Sequence, residues 1–524
     1  MIQAPMTIPA ALEAAVQQWP DALAVQDGDT QLSFNDLLLQ SRLAARAMMA
    51  NGLQAGQRFA IWAPNIHEWI WTAMGGMMAG GILVPLNTRY RGIEAGDILR
   101  RSQARMLFTT TGFLDTDYPG LLKDEALPEL EHTVLLRGSE DDRGLPGIKS
   151  ILASADDVEE AALDARLARL DGDSISDIMY TSGTTGAPKG VLSSHAQTVA
   201  IFDAWSGTVG LTSGDRYLIV NPFFHSFGYK AGWLSCLLRG ATALPMAVFN
   251  PAQTLRLIEH EQITVLPGAP TIFQTLLAEQ SLSATDLSSL RCAVTGAASV
   301  PEQLVHDMKQ VLQFDEVFTA YGLTECPVVS ITRPGDDIAI IANTAGRALP
   351  DTEVRIVDDQ GSKLAADEVG RIQVRGYNVM QGYFENPQAT AETIVDGWLE
   401  TGDLGWMDAN GYIKVTDRAK DMFISGGFNC YPAEIENLLL RHPGIDDVAV
   451  VGTADERLGE IGHAYIVSPA EALASEDLIA WAREHMANFK VPRRFFRVPE
   501  LPRNASGKVQ KFKLEALADR TAIE

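Results

Sequence analysis

Apolar residues along this chain alternate between a helical period and short unbroken runs. Residues 8–55 read as a helix, a short extended piece and a long Ala/Leu/Met helix. A run at 58–64 predicts a strand, 68–79 a helix, 81–85 a strand, 94–102 a helix and 106–110 a strand. Helices alternating with strands point to an α/β layer architecture. Further strands are predicted at 216–220, 263–266, 291–294 and 316–319, with Ser299 capping a helix whose first turn holds Pro301 and Glu302. After Arg347 the pattern shortens. Strands at 353–357, 370–375 and 412–416, with a turn at 358–361, predict a β-rich subdomain over about 345–417. From 418 to 524 a strand at 448–452 and a helix at 476–486 predict a small α+β domain, leaving 1–417 as the large N-terminal domain.

The chain has 524 residues, too many for one hydrophobic core. Its 46% hydrophobic and 21% charged content is that of a folded globular protein. The net charge of −25 changes the functional picture, because so acidic a surface repels nucleic acid and anionic membranes. Any polyanionic ligand requires local positive spots built against that field. Cys236, Cys292, Cys326 and Cys430 are too scattered for a metal or redox pair, which fits a reducing cytoplasm. The first ten residues have neither a basic region nor a long apolar core, so no secretion signal is expected. Residues 69–86 carry no charge over nearly a bilayer's thickness, but Gly75, Gly76, Gly80, Gly81 and Pro85 interrupt them. A buried helix running into a buried strand is expected there, without stable membrane insertion.

The richest chemistry lies in YTSGTTGAPKGV, from Tyr180 to Val191. Thr181, Ser182, Gly183, Thr184, Thr185, Gly186 and Lys189 supply hydroxyls, turn-permitting glycines and one ammonium. Concave runs of N–H groups with a lysine bind polyphosphate. It is not a Walker A loop, because Pro188 and Gly190 flank the lysine where that motif needs Gly and Ser/Thr. Strand-like residues at 178–180 and 191–192 set the loop on a sheet, where loops tend to carry function.

This loop resembles the phosphate loop of the adenylate-forming enzymes, which include acyl-CoA synthetases, aryl-CoA ligases, peptide-synthetase adenylation domains and luciferases. Five further segments match that family in its order: NPFFHSFG at 221–228, TGAAS at 295–299, YGLTE at 321–325, TGD at 401–403 with DRAKD downstream, and PRNASGK at 502–508. On chemistry alone, His225 is either a core histidine bonded to backbone or a substrate-orienting donor. The resemblance places it beside the acyl carboxylate. It likewise implies that Gly296 and Ala297 line the acyl pocket and adenine edge, that Tyr321 stacks on the purine next to Gly322, and that Thr324 meets the α-phosphate. Glu325 and Thr184 are implied to hold Mg2+ through oxygen. Asp403 and Arg418 would bind ribose, Lys420 falls on the family's hinge, and Gly426 and Gly427 would form a narrow channel for pantetheine. Lys508 matches the catalytic lysine, in preference to Lys511 and Lys513.

The resemblance thus implies an AMP-forming acyl-CoA synthetase using ATP, Mg2+ and CoA, with a mobile C-terminal lid. A carboxylate attacks the α-phosphate, pyrophosphate leaves, and CoA thiol then expels AMP. The expected pocket spans 225–230, 268–273, 296–299 and 326–329. Phe227, Tyr229, Ile272 and Val328 give it apolar walls. Lys230 either meets a distant keto or carboxyl group on a fatty, compact cyclic or steroid-ring-derived acid, or points to solvent. Lys490, Arg493, Arg494 and Arg497 form a basic run that meets CoA phosphates or is a solvated helix end. Loading of a carrier protein and a non-catalytic adenylate-binding regulator stay open as alternatives, as does a homodimer.

Overall fold

The computed structural model describes every residue except 1–5, 138–142, 183–187, 297–299, 301, 359, 419–422, 431, 469–472, 503–508, 510 and 515–524. The chain forms two compact units. One comprises Met1–Thr88, Leu99–Met179 and Gly190–Asp417, and the other Arg89–Ile98, Tyr180–Lys189 and Arg418–Glu524.

The extended piece near the N-terminus is a β-hairpin, Leu23–Asp27 and Thr30–Ser33, between helices Ile8–Gln18 and Phe34–Ala50. Ser33 and Asp36 cap the second helix reciprocally, satisfying backbone donors at its start. The hairpin closes one edge of a nine-stranded sheet. Its middle runs Glu316–Leu323, Cys292–Gly296, Val265–Pro267, Arg216–Ile219 and Thr242–Pro245, all paired in parallel. A seven-stranded sheet carries Ile82–Pro85, Arg58–Trp62, Ala104–Thr109 and His132–Leu135 in parallel, and takes Ile175–Ser182 and Pro188–Ser194 beside them. Those last two strands flank residues 183–187 in sequence. A third sheet, Thr352–Val357, Gly370–Gly376, Trp398–Met407 and Ile394–Val395, is antiparallel, with Ile413–Arg418 beside Trp398–Met407. The mixed α/β class expected from the pattern is the class observed.

The uncharged segment resolves into helix His67–Met78 and strand Ile82–Pro85, both nearly all buried. Its glycines sit where neighbours come too close for a side chain. A Cβ on Gly75 would lie 2.7 Å from Ala44 Cβ on the neighbouring helix, and one on Gly76 would lie 2.2 Å from the Phe59 ring. Two glycine faces therefore let one helix pack tightly on both a helix and a sheet. No helix among the described residues is long and apolar enough to cross a membrane.

In the second unit, Asp447–Asp455 and Gly459–Val467 form a long antiparallel hairpin, flanked by Phe423–Ser425, Phe428–Cys430 and Arg494–Arg497. Helices Pro432–Leu439 and Ser475–His485 complete it, around a core that includes Phe423, Ile435, Val450, Ile466 and Phe495.

The Gly76 contact sets a sign that can be measured. Elsewhere in a helix Gly→Ala gains about 0.5–1 kcal/mol. Here Gly76→Ala overpacks Phe59 and should destabilise the protein by about 1–3 kcal/mol. Thermal or denaturant unfolding checks this, and a variant as stable as the parent would show that the approach to Phe59 is looser than described.

Candidate active site

Three ties in the first unit gather residues from distant parts of the sequence. The first joins Tyr321 to Asp403. Glu316–Leu323 and Cys326–Ile331 form a hairpin whose register shifts between Tyr321 and Leu323, at Gly322. A Cβ on Gly322 would lie 2.1 Å from the Pro327 carbonyl oxygen, so only glycine fits that crossing. The Tyr321 hydroxyl donates to Asp403 Oδ2 at 2.6 Å. Asp403 is buried on strand Trp398–Met407, so it is not a surface ion-pair residue. Burial, and then the Asp403 charge, push the Tyr321 hydroxyl well above its usual pKa, so it remains a donor.

The second tie runs through Glu325, which with Thr324 forms the tip of the same hairpin. Glu325 Oε1 accepts from the Tyr383 hydroxyl at 2.7 Å. Tyr383 pairs with Val191 on the strand leaving the polar loop, so the hairpin tip is fixed relative to that strand. Glu325 is half-buried and offers hard carboxylate oxygen, the donor type Mg2+ takes. The residue therefore fits the ion. Its expected co-ligand Thr184 lies outside the described residues, as do Gly183, Thr185, Gly186, Ala297, Ser299, Lys420 and Lys508. Thr181 and Lys189 are half-buried at the ends of the strands flanking the loop, and Ser182 closes the first strand. Gly296 ends strand Cys292–Gly296, where a Cβ would lie 2.5 Å from the Ala320 carbonyl oxygen.

The third tie begins at His225. It caps a single turn, Ser226–Gly228, and its Nδ1 accepts from the Phe227 N–H at 3.2 Å. In the neutral ring the proton therefore sits on Nε2, which becomes a donor. The side chain is exposed, yet surrounding protein holds its pKa below the usual histidine value. Accessible and desolvated together describe a group on the wall of a recess. Residues Tyr229–Leu234 continue as a wide π-type turn broken at Gly232. The carbonyls there still find donors, with Tyr217 bonding Ala231 O at 2.8 Å and Ser235 bonding Lys230 O at 3.0 Å. The turn aims Lys230 inward.

Lys230 corrects the sequence reading. It is 1% exposed, its Nζ lies 2.8 Å from Asp177 Oδ1, and it donates to Ser193 Oγ at 2.9 Å. Its ammonium is spent inside the protein, so it neither meets a substrate carbonyl nor points to solvent. Tyr229 and Val328 also belong to the packed core rather than to an open wall. Phe227 and Ile272 are half-buried.

In the second unit, Gly426 and Gly427 form the two-residue turn of hairpin Phe423–Ser425 and Phe428–Cys430. Their φ values of 57° and 83° are the left-handed pair that such turns require. This backbone demand explains both glycines by itself. Strand Ile413–Arg418 ends at Arg418. The basic run loses a member here: Lys490 is buried, bonding Glu94 Oε1 at 2.7 Å and Glu434 Oε1 at 2.6 Å. Burial opposes its charge, but Glu434 and Glu94 outweigh burial and hold its pKa well above the ordinary lysine value. Arg494 is exposed, and Arg493 and Arg497 are half-buried. The four cysteines are free and buried.

Sequence reasoning missed Tyr383, Asp177 and Ser193, whose partners lie far along the chain and leave no local signature.

Residues 12–384 match the AMP-binding enzyme family, and 434–508 match the AMP-binding enzyme C-terminal domain. A protein of Rhodococcus jostii (strain RHA1) is 48% identical, with 98% of each chain covered, and is named 3-[(3aS,4S,7aS)-7a-methyl-1,5-dioxo-octahydro-1H-inden-4-yl]propanoyl:CoA ligase. A protein of the same name from Mycobacterium tuberculosis is 46% identical, covering 99% of this chain and 100% of its own. Among solved structures, the amide bond synthetase McbA of Marinactinospora thermotolerans superposes with a TM-score of 0.85 at 28% identity, covering 97% of this chain and 99% of its own. A double mutant of o-succinylbenzoate CoA synthetase from Bacillus subtilis, bound with a product analogue, does so at 0.82 and 29%, covering 98% and 99%. With the matched regions spanning most of the chain and the curated relatives covered from end to end, the chain belongs to the AMP-binding enzyme family and is an AMP-forming acid–CoA ligase that uses ATP, Mg2+ and CoA.

Proposed function

We propose that this ligase activates a compact ring-bearing acid, a fused bicyclic dione carrying a propanoate arm, of the kind for which its Rhodococcus and Mycobacterium relatives are named. One observation carries the reading. Identity to those two is 48% and 46% over nearly whole chains, against 33% and 32% to the mouse and human medium-chain acyl-CoA ligases. With Lys230 buried, recognition of the ring carbonyls falls to other residues of the pocket. ATP and CoA are intracellular substrates, and four free thiols suit the same reducing compartment, so the cytoplasm is the site of action.

In the first half-reaction a carboxylate oxygen attacks the α-phosphorus, and the bond to the β-phosphate breaks to release pyrophosphate. The acid is already ionised at neutral pH, so no general base is needed. The difficulty is bringing an anion to a polyanion. The hydroxyls and N–H groups of the loop between Thr181 and Lys189 hold the outer phosphates, and Glu325 would hold Mg2+ through a carboxylate oxygen, where the ion would screen phosphate charge. His225 Nε2–H orients the carboxylate. The Tyr321–Asp403 pair takes the adenosine, with the tyrosine ring against the purine and the carboxylate towards the ribose, joined by Arg418. Thr324 donates to the α-phosphate, and Lys508 stabilises charge as it develops there. In the second half-reaction the CoA sulfur attacks the acyl carbonyl, AMP leaves with the bonding pair, and the thiol proton passes to solvent. The turn at Gly426 and Gly427 faces pantetheine in this step, and Lys420 is the pivot of the C-terminal domain, 418–524.

Three experiments test these assignments. Tyr321→Phe removes a hydroxyl from a buried carboxylate, which costs about 1–3 kcal/mol where that bond is made. If the same pair holds the nucleotide, the KM for ATP should rise by about 5- to 150-fold with little change in the KM for the acid. An unchanged KM for ATP would remove the pair from the nucleotide site. For the substrate, bicyclic dione propanoates should give CoA-dependent AMP release with higher kcat/KM than linear medium-chain acids, and a reversed preference would overturn the substrate class. Measured by pyrophosphate release without CoA, Lys508→Ala should slow adenylate formation by about 10²–10³, the usual worth of one such donor. Full adenylation by that variant would remove Lys508 from the chemistry.

A further inference from the structure

The buried Lys230–Asp177 pair lies outside the reacting groups described above, yet it joins the two places where the reactants are held. Asp177 is fully buried on strand Ile175–Ser182, which enters the phosphate loop. Ser193 is on strand Pro188–Ser194, which leaves it. Lys230 stands five positions beyond His225 on the π-type turn. Its ammonium touches both strands at once, Asp177 Oδ1 at 2.8 Å and Ser193 Oγ at 2.9 Å. Ser176 braces the same point, donating to Asp177 Oδ2 at 2.7 Å and lying 3.1 Å from Ser193 O.

The turn on the other side is equally fixed. Tyr229 stacks on Trp233 with ring centroids 5.0 Å apart, and Trp69 meets Phe223, Tyr229 and Trp233 edge-on or tilted. Asn65 bonds the Ile219 and Asn221 carbonyls and accepts from the Phe223 N–H, holding the segment that leads to His225. Lys230 thus links one rigid body carrying His225 to another carrying the base of the phosphate loop. A well-packed apolar residue of similar volume would serve a plain core at least as well, since a dry ion pair gains little net stability. What an ion pair adds is a fixed distance and direction.

We propose that Lys230 is a positioning residue for adenylation: through Asp177 and Ser193 it sets the spacing between the His225-bound carboxylate and the α-phosphate presented by the loop. This rests on the roles given above to His225 and the loop. Thioester formation needs no such spacing, because the acyl group and phosphate are by then one molecule.

The test separates the half-reactions. Lys230→Met is compared with the parent for adenylate formation without CoA, and for acyl-CoA formation from synthetic acyl-adenylate plus CoA. Should Lys230→Met not fold, the neutral pair Lys230→Gln with Asp177→Asn takes its place. Misplacing reactants by about 1 Å costs about 10²-fold, so adenylation kcat should fall between about 10- and 100-fold. The KM values for ATP and acid, and the rate from preformed adenylate, should each stay within about threefold. Equal loss in both half-reactions would mark the pair as merely structural and overturn the proposal, as would a loss confined to the KM for ATP or no loss at all. Failure of the parent to form adenylate from any acid would instead sink the functional reading, an outcome seen before any variant is made.

Discussion

The controlling constraint is charge. A chain of net charge −25 must bring a carboxylate, a triphosphate and CoA together. Cations that look available in the sequence are consumed inside the fold. Lys230 is taken by Asp177, Lys490 by Glu94 and Glu434, and Lys511 by Glu436. Removing one partner of the fully buried Lys230 and Lys490 pairs strands a buried charge at a cost of several kcal/mol, so those two lysines are not free to follow a ligand. In the function proposed above, anion binding then depends on neutral N–H and hydroxyl donors, with Lys508 adding charge at the α-phosphate. In that function the threonine- and glycine-rich segment 181–186 answers the constraint by offering phosphate neutral donors.

What could be read from the sequence follows from the range of the interactions involved. Strands in the parallel sheets are buried on both faces, so their apolar runs are continuous and stand out locally. The Gly426–Gly427 turn was visible for a similar reason, although its glycines answer first to a two-residue hairpin and only then to any ligand. Long-range pairing left no such trace. Lys230 bonds Ser193 across 37 positions, and Lys490 bonds Glu94 across 396. Nothing near either lysine distinguishes it from a surface residue. Each was read as either reaching a ligand or lying in solvent, and both are internal. Tyr383, which fixes Glu325, was invisible for the same reason, since its partner lies 58 positions away.

Neutral donors impose their own requirement, which His225 illustrates. In the role proposed for His225, an imidazolium would hold the carboxylate strongly and blunt its nucleophilicity, opposing the attack it would assist. A neutral Nε2–H orients the same oxygen at less cost to its reactivity. The Phe227 N–H occupies Nδ1 and so selects that tautomer, while desolvation on the recess wall disfavours the second proton. One backbone donor two residues away and the surrounding protein thus fix both the direction and the charge of the group. The short capped turn at Ser226–Gly228 is what makes that donor available. The Cβ missing from Gly228 is what lets the turn form, since it would lie 2.2 Å from the Pro222 carbonyl oxygen. Gly228 therefore supports the His225 tautomer indirectly, through the turn that presents the Phe227 N–H.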